Sequence, residues 1–172
     1  MKKLLVYTCV ILMLISTAGC ANDSSTGTGS TGSPETTESM PVVVQIDIAA
    51  LKTAIVQQMK VEDSMDLTQE SLSDMYGFAQ EDIKASACCI AMGGAFVEEI
   101  ILLECVDDAA VERIEKKLQT KLSDAMDMAQ NYDAESYAIL QNCKVQKNGT
   151  YVALFVSAKA EQMQKLFDDA AK

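Results

Sequence analysis

Two runs in the chain, Ile100-Ile101-Leu102-Leu103 and Tyr151-Val152-Ala153-Leu154-Phe155-Val156, are apolar at every position. Successive side chains of a strand point to opposite sides of a sheet, so a strand apolar at odd and even positions alike has to be buried on both faces. Both runs therefore belong at the centre of a sheet, and the fold has to supply a covering layer above it and another below.

Each run sits in a hairpin pattern. Lys84 to Met92 and Val97 to Val106 read as strands joined through Met92-Gly93-Gly94-Ala95-Phe96, where glycine permits positive φ. Cys143 to Lys147 and Thr150 to Ser157 flank Asn148-Gly149, a strong two-residue hairpin signal. The expectation is a mainly antiparallel sheet of four strands, built from two hairpins.

Helices fill the intervals. Asp47 is placed to cap a helix to about Met59, with Ile48, Leu51, Ile55 and Met59 at helical spacing, and Val42 to Ile46 reads as a short edge strand before it. Thr68 caps a second helix that Gly77 stops after Tyr76. Asp107 or Asp108 caps a long helix to about Ala129 whose buried stripe is Val111, Ile114, Leu118, Leu122, Ala125 and Ala129. A short helical turn over Ala134 to Leu140 follows, and a last helix over Ala160 to Ala170 presents Met163, Leu166, Phe167 and Ala170. Two helices followed by hairpin-helix and hairpin-helix give an α+β domain, with the long and the C-terminal helix packed on the sheet. Either the two N-terminal helices cover the face opposite the two later ones, or one apolar face awaits a partner.

The first 40 residues are of another kind. Met1-Lys2-Lys3, an apolar stretch from Leu4 to Ile15 and then Ser16-Thr17-Ala18-Gly19-Cys20 have the form of a bacterial lipoprotein signal. The apolar stretch is too short to span about 30 Å of hydrocarbon, which sets aside a retained transmembrane helix. On this reading residues 1–19 are removed and Cys20 carries the lipid. Two or three acyl chains, each contributing about 0.8 kcal/mol per buried CH₂, then hold the protein on the outer face of the cell membrane. Residues 20–40 are rich in Ser, Thr and Gly and have almost nothing to bury, so they are expected to be a disordered tether. Residues 41–172 are enough for one globular domain.

The whole chain carries a net charge of −11, and without Lys2 and Lys3 the balance is 12 basic against 25 acidic residues. Such a surface repels nucleic acid and anionic headgroups, so nucleic acid is excluded as a partner. Membrane lipid, through acylated Cys20, and an envelope protein are the expected partners.

The chain resembles the small exported lipoproteins grouped as domain of unknown function 4358, which are common in Gram-positive anaerobes. The resemblance runs from about Ile46 to Ala158. It rests on the lipoprotein start, Asp74-Met75-Tyr76-Gly77, Glu98-Glu99-Ile100, Val106-Asp107-Asp108, the tyrosines Tyr132 and Tyr137, and Asn148-Gly149-Thr150-Tyr151-Val152 before Ser157. The chain departs from that pattern at Lys121, where the family often has arginine, and at Asp133-Ala134, where it often has Ala-Pro. A bidentate contact by such an arginine is not open to a lysine. The resemblance implies location and fold; it brings no activity with it.

Candidate chemistry is sparse. There is no histidine and no Gly-x-Ser-x-Gly, so a serine hydrolase would need a Ser-Lys arrangement, for which the sequence gives no signature. No Asp-x-Asp-x-Asp-Gly calcium loop occurs either, and Asn148-Gly149-Thr150 matches a glycosylation sequon only as a by-product of its turn. Cys88, Cys89, Cys105 and Cys143 read as small buried residues. Adjacent Cys88 and Cys89 point to opposite faces, whereas a cross-strand Cys89–Cys105 pair is open to an exported protein. The remaining methionines, such as Met126 and Met128, are expected to fill core gaps or cover helix faces.

Among the acidic doublets, Asp107-Asp108 is explained by helix capping. Glu98-Glu99 is unusual, because one of two adjacent strand carboxylates has to point toward a covered or binding face. Glu98, Glu99, Tyr76 and Tyr132 are therefore the candidate binding residues, with no catalytic residue, metal ligand or cofactor assigned. The functional expectation is a non-enzymatic protein-interaction module of the cell envelope. The alternatives are a small-ligand-binding or sensor lipoprotein and, after that, an enzyme of unrecognised type.

Overall fold

The structure is a computed structural model and describes residues 45–93 and 96–172. The signal at 1–19, lipidation at Cys20, the tether at 20–40 and Gly94-Ala95 of the first hairpin lie outside the described residues. So do Val42 to Val44 of the expected edge strand; Gln45 and Ile46 are not strand.

Among the described residues there are five α-helices and six strands in an antiparallel sheet, in the order α1 (Ile48–Met59), β1 (Ser64–Asp66), α2 (Gln69–Tyr76), β2 (Ile83–Ser86), β3 (Cys89–Ala91), β4 (Glu98–Cys105), α3 (Asp108–Tyr132), α4 (Ala134–Leu140), β5 (Val145–Asn148), β6 (Tyr151–Val156) and α5 (Ala160–Ala170). The α+β class is as the sequence implies, but the sheet has six strands rather than four. One reason is β1, three exposed residues paired antiparallel to β3 as an edge. The other is that the first predicted strand divides into β2 and β3. Both pair with β4, and the Ala87 N–H bonds the Leu102 carbonyl at 2.8 Å between them, so they run in one register with an irregularity between Ile83 and Ala85. The sheet order is β1-β3-β4-β6-β5, with β2 alongside β4.

β4 and β6 are central, as their composition demands. Ile100 to Leu103 and Val152 to Phe155 are at most 1% exposed, and Leu102 stands opposite Ala153. Covering layers lie on both faces. Neighbouring residues of β5 reveal the sides: the Gln146 amide donates to Asp168 of α5 at 2.9 Å, and the Lys147 ammonium donates to Glu115 of α3 at 2.6 Å. α5 packs with α1 over one face, and α2 and α4 pack with α3. This corrects both alternatives, since the two N-terminal helices do not share a face against the two later ones and neither face is left open: α1 goes with α5, and α2 with α3 and α4.

The helix ends follow local chemistry. The side chains of Asp47, Thr68, Asp107 and Asp133 each accept from the backbone N–H three residues on, and Gly77 closes α2 with φ 67°. Val111, Ile114, Leu118 and Ala129 of α3 are buried, with Leu122 and Ala125 partly so. The second hairpin turns one residue later than Asn148-Gly149: Asn148 pairs with Tyr151, and the loop is Gly149-Thr150 with φ 53° at the glycine. At the first hairpin, Gly93 does not adopt positive φ; a Cβ there would come 3.0 Å from the Asp63 carboxylate, a tight contact with an exposed side chain.

Candidate functional site

Because α2 ends at the left-handed Gly77, Tyr76 is carried beneath α3 and stacks on Phe78, with ring centroids 5.3 Å apart. Its hydroxyl donates to Glu99 Oε2 at 2.8 Å, so two of the four candidate residues meet. Lys121 of α3 completes the cluster. Its Nζ lies 3.9 Å from Glu99 Oε1 and 4.6 Å from the centre of the Tyr76 ring. A lysine at this position acts as a point charge with a cation–π contact, where an arginine would make a fork. Burial, then the charge and hydrogen bond of Glu99, push the Tyr76 phenol far above its ordinary value, so it stays a neutral donor at any physiological pH. The cluster binds α2, β4 and α3 together.

Glu98 and Glu99 face opposite sides, as strand alternation requires. Glu98 accepts from the Ser157 hydroxyl on the α1 and α5 side and borders a separate recess of about 300 Å³ with Lys60, Phe96 and Ile139. Tyr132, the last residue of α3, is 88% exposed and joins neither glutamate. The pocket expected from Tyr76, Tyr132 and one glutamate is therefore assembled only as far as Tyr76 and Glu99.

The larger feature is an open groove of about 810 Å³ between the end of α2 and the outward side of α3. Met75, Tyr76 and Gly77 form one wall; Arg113, Lys116, Lys117, Lys121, Asp124 and Met128 are among the residues of the other. Arg113 forks onto Asp82, with Nε–Oδ2 3.0 Å and Nη2–Oδ1 2.5 Å. A single 3-10 turn, Gln80–Asp82, brings that aspartate beneath the helix and buries it. The Arg113 hydrogen bond holds the Asp82 carboxyl below the usual carboxylate range against the opposing effect of burial. The Lys117 ammonium donates to the Gly77 carbonyl, which ties α3 to the C-terminal end of α2. Sequence reading missed Arg113, Lys116 and Lys117, although Arg113, Lys117 and Lys121 recur every fourth residue in an acidic chain and so share one helix face. Of the two methionines expected to fill core gaps or cover helix faces, Met126 packs partly against the core and Met128 lies on the helix surface, 68% exposed at the rim.

The thiols take no part in the site. All four are buried and free. Burial pushes Cys88 up to about 12 and Cys105 to about 11, and raises Cys89 and Cys143 as well. The Cys89–Cys105 pair is ruled out by register: Cys89 stands opposite Ile100 and Cys105 opposite Ile83. The two are separated by five residues of β4, roughly 17 Å at about 3.4 Å each, against a disulfide limit near 7 Å between Cα atoms.

A family model described as a domain of unknown function, DUF4358, matches residues 57–157, which takes in the groove, the Tyr76 cluster and β4 to β6. No curated protein and no solved structure matches the chain.

Proposed function

The chain belongs to the family of domain of unknown function DUF4358, and on that premise we propose that it is a lipoprotein of the cell envelope, acylated at Cys20 on the extracytoplasmic face. Its domain serves as a non-enzymatic protein-interaction module. The observation that carries this reading is the open groove between α2 and α3, rimmed by the exposed methionines Met75 and Met128. Exposed apolar side chains beside polar ones are what a protein contact surface requires. The titratable groups nearest the groove favour binding over catalysis, since Tyr76 is held neutral and Glu99 and Asp82 are each engaged by a partner.

The test is in-cell cross-linking of the anchored protein followed by purification and mass spectrometry, with Cys20→Ala as control. One envelope protein enriched with the anchored form and lost with the released form is the expected result; the same background in both refutes the reading. A second reading, a small-ligand-binding lipoprotein, is favoured by the groove volume of about 810 Å³, within the roughly 300–1,000 Å³ of ligand sites. A thermal-shift screen of small anionic compounds separates it from the first.

A further inference from the structure

The charges of this protein are unevenly placed. With Lys2 and Lys3 set aside, 12 cationic and 25 acidic residues remain, yet four of the cations and only one of the acids line the α2–α3 groove. Asp82 and Glu99 beneath the groove engage Arg113 and Lys121, and the charges of Glu81 and Asp107 also act on Arg113, so the positive charge open to an occupant lies on Lys116 and Lys117, on a chain whose net charge is −11. The Lys116 ammonium has no hydrogen-bond or ion-pair partner among the described residues; only its backbone carbonyl is engaged, by Thr120. Two of the large apolar side chains that stand out into solvent, Met75 at 45% and Met128 at 68%, are at the same groove. Tyr132 lies one helical turn beyond Met128 and is 88% exposed.

Positive charge along the groove and flexible thioethers at its lips together define the chemistry of an occupant: carboxylates spaced along one side and apolar side chains along the other. We propose that the groove docks an acidic, amphipathic peptide segment of another envelope protein. The span from Arg113 to Met128 is roughly 22 Å at 1.5 Å per helical residue, room for about 15 residues of helix or about seven of extended chain. Methionine suits such a surface because its unbranched, polarisable side chain adapts to varied apolar partners. The acidic surface outside the groove disfavours longer polyanions: a nucleic acid or an anionic bilayer would also meet that surface, whereas a short segment meets the lining alone, where Asp124 is the one carboxylate among four cations.

This inference rests on the interaction-module reading and narrows it to one surface. It is tested first with the mature chain carrying Cys20→Ala and, as probe, a fluorescein-labelled peptide of about 15 residues with glutamate and leucine on opposite helical faces. Its twin carries glutamine for every glutamate. Fluorescence anisotropy should show saturable binding of the glutamate peptide that weakens with added salt, and a loss of about fivefold or more on Lys116→Glu, the reversal of one exposed charge. Met128→Ser should weaken both peptides. Both substituted side chains are solvent-facing, so circular dichroism and thermal melting should match the parent. Equal affinity for the two peptides, or no effect of Lys116→Glu, overturns the proposal. So does binding of the chain to vesicles containing anionic phospholipid in the absence of peptide binding.

In cells, a photo-cross-linker placed at Met128 or at Met65 on the distant edge strand separates this inference from the reading beneath it. Cross-links from Met128 that Lys116→Glu abolishes support the groove. Cross-links from Met65 alone overturn the groove and leave the interaction module standing. None from either position refutes both.

Discussion

Leu102 is a sharp test of the central position of β4. It is 0% exposed, stands opposite Ala153 of β6, and its backbone carbonyl accepts the Ala87 N–H at 2.8 Å on the other side, so both neighbouring strands enclose it. Leu102→Ala removes three buried carbons, which at about 0.8 kcal/mol each is a transfer loss of about 2.4 kcal/mol. The paired strands limit collapse into the space left, and a residual cavity of about 40 Å³ at about 24 cal/mol per Å³ adds about 1 kcal/mol. The expected destabilisation is then about 3.4 kcal/mol, a large part of the roughly 5–15 kcal/mol that a domain of this size possesses. Equilibrium urea unfolding of the mature Cys20→Ala chain should show a midpoint lowered by about 1.5–2 M with the slope unchanged, taking a slope of about 2 kcal/mol per M. Val97→Ala is the control, since Val97 lies just outside β4 and is 47% exposed; its shift should stay within about 0.5 kcal/mol. A Leu102→Ala loss below about 1 kcal/mol, or one no larger than the control's, would refute the sheet order.

Other consequences are open to measurement. Cys20→Ala should move the protein from the membrane fraction to the soluble one, and retention in the membrane counts against the lipid anchor. In the native Cys20→Ala chain the four thiols should resist a disulfide reagent at pH 8, because Cys88 and Cys105 are pushed to about 12 and about 11 and all four are buried; prompt reaction of one equivalent or more argues otherwise. Asp82 titrates below its unfolded value, so its contribution is complete above the ordinary carboxylate pKa and is lost as pH falls through the depressed one. Arg113→Gln should therefore shift the acid-unfolding midpoint to higher pH, and an unmoved midpoint means the fork is not stabilising. Tyr76→Phe strips Glu99 of its donor and should cost about 1–2 kcal/mol, the range for a hydrogen bond to a charged group in a partly buried setting; no loss in urea unfolding contradicts the clamp assigned to this cluster.

What sequence reading recovers here is what local rules determine. Caps at Asp47, Thr68 and Asp107 and the stop at Gly77 fall where their residue types place them, and the two-faced apolar runs become the central strands. β1 escapes because its three residues are exposed, so no burial pattern marks them; they are strand only because β3 offers a free edge. The sides taken by α1 and α5 are equally invisible, since an amphipathic stripe states that a helix packs and not which face of the sheet receives it. The turn at Gly149-Thr150 differs by one residue from the dipeptide signal because pairing across β5 and β6 sets the register, and the glycine then takes the loop position that needs positive φ.

The groove was beyond sequence reading for a related reason: its parts are distant in the chain and each is ordinary alone. Tyr76 and Glu99 are 23 residues apart, and Asp82 and Arg113 are 31 apart. These two pairs fasten the groove from beneath, one tying the end of α2 to β4 and the other tying α3 to the 3-10 turn, so the separation of its walls is set by buried contacts and not by whatever occupies it. The lips carry no such duty. Met75, Lys116 and Met128 make none of these fastenings, so substitutions there should change what binds without changing whether the domain folds, while substitutions of Tyr76 and Arg113, which both fasten and line the groove, should affect stability as well as binding. That division of labour lets binding be varied apart from stability in one molecule, which a groove held open by its own ligand would not permit.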